Sequence, residues 1–99
     1  MSLNLTIPAS AFTLNSGILK TITTKQPDEG FEFSLSFCEE CGSPIYASPK
    51  MLPDKVVVQA GVLDDVAFLE QTPSAELNVM HRLPWSHPIN NAEQREKYV

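Results

Sequence analysis

The chain has 99 residues, 42% of them hydrophobic, and carries a net charge of -5. An acidic surface repels phosphate backbones and anionic lipid, which argues against nucleic-acid and membrane-surface roles, and no apolar run is long enough to span a bilayer. The segment Met1 to Thr6 lacks the basic stretch and apolar block of a secretory signal. The only two cysteines sit in one tight motif, which is no disulfide framework. These features predict one small domain over residues 1–99, held in the reducing cytoplasm. A domain of this size is marginally stable alone, so a metal clip or a partner subunit would help it.

Eight Pro and four Gly cut the sequence into short pieces that read as strands. Ile18 to Thr24 is rich in β-branched residues, and Lys25 to Gly30 is a turn signal. Phe31 to Phe37 alternates, which predicts a strand with Phe31, Phe33, Leu35 and Phe37 on a buried face. The two segments predict a hairpin around Pro27–Gly30. Cys38 to Pro44 reads as a tight loop, and Ile45-Tyr46 opens another short strand. Ser48 to Asp54 is irregular. Lys55 to Ala60 is nearly continuous in β-branched residues, as in a central strand buried on both faces. Gly61 to Asp65 suggests a turn, with Asp64 or Asp65 capping a helical turn that runs through Leu69. Glu76 to Met80 alternates as a further strand. Asn90 to Glu93 offers an N-cap for a short C-terminal helix over Gln94 to Tyr98. The fold class expected is mainly β, built from antiparallel sheets.

The segment Phe37 to Pro44 carries the most chemistry. Cys38 and Cys41, two residues apart on a turn, can aim both sulfurs at one metal, and Gly42 permits the positive φ that such a turn needs. Thiolate pairs favour zinc among common cellular ions. Three readings stand. In the first, zinc is bound, its other ligands coming from His81, His87, a carboxylate or a second chain. In the second, the pair cycles between dithiol and disulfide, although the motif follows a strand rather than opening a helix. In the third, the knuckle keeps its shape without metal.

Four blocks, in order, resemble the glutathione-dependent formaldehyde-activating enzyme family, which includes the centromere protein V domain. They are Pro8-x-x-Ala11-Phe12-x-Leu14-x-Ser16-Gly17-x-Leu19-Lys20, Phe37-Cys38-x-x-Cys41-Gly42-Ser43-Pro44-Ile45-Tyr46, Val58-x-Ala60-Gly61-x-Leu63-Asp64-Asp65 and Arg82-x-x-Trp85. The resemblance is to the later part of the family domain. It implies small antiparallel sheets folded over one another and carbon–sulfur lyase chemistry on thiol adducts of small aldehydes. It also implies a structural zinc at Cys38 and Cys41, whereas nothing here matches the family's remaining zinc ligands. A homodimer in which two copies of Cys38 and Cys41 share one zinc would complete the site.

His81, Arg82, Trp85 and Asp64 are the candidate catalytic residues. Histidine titrates near neutrality, Arg82 can pair with a carboxylate or enolate, and the indole can stack on a ring. Each has a structural alternative: a turn histidine, a surface ion pair, a core-closing Trp and a helix cap. Two function classes follow. One is a small-molecule enzyme performing metal-independent proton transfer, such as dehydration, isomerisation or cyclisation. The other is a non-catalytic zinc-knuckle binding or assembly module.

Overall fold

Strands dominate because β-branched and aromatic residues fill short runs between Pro and Gly turns. The computed structural model describes residues 2–64 and 67–98. The chain divides into two compact units, Met1–Val66 and Ala67–Val99.

The first unit is one five-stranded sheet. Its strands are β1 (Asn4–Pro8), β2 (Leu19–Lys25), β3 (Glu32–Cys38), β4 (Pro44–Pro49) and β5 (Lys55–Gln59). They lie in the order β1-β5-β4-β3-β2, and every neighbouring pair is antiparallel. The β2–β3 hairpin closes as expected. The Gln26 amide donates to the Phe31 carbonyl (2.8 Å) and the Gly30 amide to the Gln26 carbonyl (2.8 Å). Gly30 takes a φ of 76°, which a side chain would disfavour. β1 is an additional strand. Its signal is the alternation of Leu5 and Ile7 with exposed neighbours, and Pro8 is tolerated because the strand lies on a sheet edge.

The buried face differs from the expected one. The core residues are Val56, Val58 and Ala60, and the buried polar set includes Ser36, only 2% exposed. Ser36, Tyr46 and Val58 are successive cross-strand partners and so share a face. Phe12, from the segment between β1 and β2, covers that face, its ring centroid 5.0 Å from that of Tyr46. The Ser36 hydroxyl is satisfied by the Thr21 hydroxyl at 2.9 Å. Phe33, Leu35 and Phe37 lie only half-buried on the opposite face. β5 is likewise buried on one face rather than two: Val56 and Val58 are buried, while Val57 between them is half-exposed. Alternation identifies the strand and its two faces, but which face is covered depends on where a distant loop lands.

The second unit holds a helical turn, α1 (Ala67–Glu70), and two short strands, β6 (Ala75–Glu76) and β7 (Glu93–Gln94). β6 and β7 pair in parallel, Ala75 with Glu93 and Glu76 with Gln94, so this small sheet is not antiparallel. The expected strand over Glu76 to Met80 ends at Glu76, and Val79–His81 forms a 3-10 turn after Asn78 enters the left-handed region at φ 59°. The expected C-terminal helix is absent. The Glu93 amide donates to the Ser74 carbonyl (2.8 Å) and the Arg95 amide to the Glu76 carbonyl (2.9 Å). Asn91, at φ 67°, breaks the helical path. Tertiary pairing thus captures the backbone groups that a helix would have used. The capping role expected of Asp65 lies outside the described residues. No helix among the described residues is long and apolar enough to cross a membrane.

Candidate functional site

The knuckle is set by backbone bonds at the end of β3. The Cys38 amide donates to the Ser43 carbonyl (2.9 Å) and the Gly42 amide to the Cys38 carbonyl (2.9 Å), closing the loop. Gly42 makes this possible with a φ of 79°. The Glu39 amide donates to the Ile18 carbonyl at 3.1 Å, anchoring the loop to the start of β2. Cys38 is half-buried and Cys41 exposed, and both are free thiols. The Cys41 thiol donates to the Ser43 hydroxyl at 3.3 Å. Its acidity is raised, the thiol titrating below its ordinary 9.0, chiefly through the Ser43 side chain, then the Ser43 backbone, then the Cys38 thiol. A concavity of about 310 Å³ lies at Cys38, lined by Gly17, Ile18, Cys38, Glu39 and Glu40.

Zinc in a structural site takes four ligands. Among the described residues no group of three or more His, Cys, Asp or Glu is gathered to hold a metal. The described residues therefore supply two sulfur donors and do not by themselves fit a complete zinc site.

A second concavity of the first unit, of about 270 Å³, has Asp64 in its wall. Thr13, Asn15 and Ser16 bring polar groups, and Phe12, Ile45 and Val62 an apolar surface. Apolar walls with a few convergent polar groups are the usual make-up of a small-ligand site. The residues Thr13, Asn15 and Ser16 carried no motif of their own. Their signal lay in the block around Phe12, which the resemblance already covered.

The other three candidate catalytic residues belong to the second unit. Arg82 is engaged: its guanidinium donates to the Glu76 carboxylate at 3.0 Å and to the Gln94 side-chain carbonyl. Glu76 also accepts from the Ile89 amide (2.9 Å) and the Gln94 amide group (2.7 Å). These contacts hold its carboxyl below the usual 4.5, the Ile89 amide contributing most. Trp85 is 75% exposed. His81 closes the 3-10 turn, its amide donating to the Asn78 carbonyl at 3.2 Å, and the residue is exposed. His87 is exposed as well. Glu76 and Gln94, which fix Arg82, were not singled out by the sequence, because their roles arise only from the parallel pairing of β6 and β7.

The architecture and site define a β-rich scaffold whose first unit displays a two-thiol knuckle and, separately, a small concavity with Asp64 in its wall. Residues 1–81 match the family model described as glutathione-dependent formaldehyde-activating enzyme, and the chain belongs to that family. No curated protein and no solved structure matches it.

Proposed function

We propose that the chain is a small-molecule enzyme of carbon–sulfur lyase type, with its substrate seat in the Asp64 concavity. The observation that carries this reading is the family match over residues 1–81, a stretch that includes the knuckle and every residue lining that concavity. The substrate class is an activated carbonyl compound or its thiol adduct. Asp64 supplies the proton transfer. On a hydroxymethyl thioether it takes the hydroxyl proton, the O–H electron pair becomes the new C=O bond, and the C–S pair leaves on sulfur, which is then protonated. The reverse sequence forms the adduct. Dehydration, isomerisation or cyclisation of a related carbonyl compound would use the same carboxylate. In this reading Cys38 and Cys41 form half of a structural zinc site whose other donors lie outside the pair, and no proton-transfer step passes through it. Arg82, committed to Glu76 and Gln94, is a positioning residue within its own unit.

A second reading, a non-catalytic binding module, is favoured by the exposure and acidity of the Cys41 thiol, which suit metal capture better than burial in a core. Exchange NMR of formaldehyde with glutathione separates the two. The enzyme reading predicts accelerated interconversion of adduct and free thiol, reduced about a hundredfold in Asp64→Asn. No acceleration over buffer by the wild-type chain would leave the module.

A further inference from the structure

β2 is an edge strand of the five-stranded sheet. It ends the sheet order, and six of its seven residues, from Lys20 onward, are exposed. The phase of its hydrogen bonds follows from its two ends. The Gln26 amide reaches the Phe31 carbonyl, and the Glu39 amide reaches the Ile18 carbonyl. Antiparallel pairs alternate between bonded and non-bonded positions. With the register Leu19↔Cys38 to Lys25↔Glu32, the even residues from Ile18 to Gln26 therefore bond to β3. The amides and carbonyls of Leu19, Thr21, Thr23 and Lys25 point outward, and they have no backbone partner among the described residues.

Sheet edges are commonly blunted by charged side chains, proline, bulges or a cover. The opposite edge, β1, ends in Pro8, whereas β2 contains neither proline nor glycine, and its two charges, Lys20 and Lys25, lie towards its ends and leave Thr21 to Thr24 uncharged. Its sequence is also matched to itself. Let two copies of β2 run antiparallel about a two-fold axis at Ile22. Outward residues then meet outward residues: Leu19 faces Lys25 and Thr21 faces Thr23. This full overlap of the strand is also the register that satisfies every outward backbone group. Lys20 faces Thr24, so no lysine opposes a lysine, and like charges directly opposite are unfavourable. Ile22, 51% exposed in the single chain, meets its own copy at a non-bonded position, where backbones approach to about 4.5 Å. Ile22 is the cross-strand partner of Leu35, so the half-exposed apolar face of β3 continues across the axis.

We propose that the outer edge of β2 is a homodimer interface, in which a second copy of this chain adds its own β2 about a two-fold axis at Ile22. The interface is isologous, as closed dimers require. It does not rest on the enzymatic reading. It also differs from a dimer that shares zinc. Cys38 pairs with Leu19, about 10 Å along the strand from the axis, which sets the two thiol pairs roughly 20–25 Å apart, too far to ligate one ion.

The test uses the full chain in a mixed sample, half isotope-labelled and half unlabelled. The expected result is a concentration-dependent dimer by sedimentation, with a filtered NOE between the Hα protons of Lys20 and Thr24. Within one chain these lie about 13 Å apart, beyond NOE reach. The amides of Leu19, Thr21, Thr23 and Lys25 should exchange slowly in the dimer. Ile22→Lys, at an exposed position, should weaken dimerisation about tenfold or more while keeping a dispersed amide spectrum. A monomer at several hundred micromolar would overturn the proposal. So would a dimer that lacks the NOE and leaves those four amides in rapid exchange.

Discussion

A hydroxyl two residues away sets the chemistry of the Cys41 thiol. The Ser43 side chain is the largest cause of its raised acidity, and the thiolate is the nucleophilic form. Cys41, exposed and acidified, is expected to alkylate before half-buried Cys38, as peptide mapping after brief iodoacetamide treatment would read. Ser43→Ala should slow Cys41 at pH 7.5 several-fold, because losing the hydroxyl returns the thiol towards its ordinary acidity and lowers the thiolate fraction. Equal rates in wild type and variant would remove the serine from this role. Glu76 makes a second prediction of this kind. Its carboxyl is more acidic folded than unfolded, so its stabilising contribution is present above 4.5 and is lost as pH falls through the lower folded value. Glu76→Gln should therefore lower the thermal midpoint at pH 7, and the gap to wild type should narrow below pH 4.5. A gap that persists unchanged in acid would mean that the effect is not carried by charge.

At the scale of elements, the hairpin and the central strands were legible because alternation and turn chemistry are local. Phe31 to Phe37 and the Pro27–Gly30 turn sufficed for β2 and β3. The parallel β6–β7 pair was not legible. Two-residue strands leave no period to read, and Asn90 to Glu93 carries a helix-start pattern that long-range bonds to Ser74 and Glu76 override. The covered face was also beyond local reading, since it depends on Phe12 reaching Tyr46. The structure makes Val58, fully buried, the pivot of that face. Val58→Ala should cost about 2–3 kcal/mol, the lost burial of its methyl groups plus a cavity term, measured by denaturant titration. A cost under about 0.5 kcal/mol would place the core elsewhere. Gly42→Ala meets no atom within 4 Å, so its cost, about 1–2 kcal/mol, is the left-handed backbone alone.

For the whole molecule, family membership was legible from four separated blocks, and the match over residues 1–81 agrees with it. The candidate site was legible only in part. The sequence placed Asp64 and the two thiols in meaningful blocks, yet it also grouped His81, Arg82 and Trp85 as a pocket. In the structure Arg82 pairs with Glu76 and Trp85 is 75% exposed. Pairing across a sheet and burial of a ring are products of packing, and a motif does not encode them. In the proposed function the Asp64 concavity receives the substrate. The most direct measurement is an amide-resolved NMR titration of the full chain with a pre-formed glutathione–formaldehyde adduct. Saturable shifts are expected at Thr13 to Ser16 and Val62 to Asp64, reduced in Asp64→Asn. Shifts confined to residues 38–43, or none at all, would contradict it.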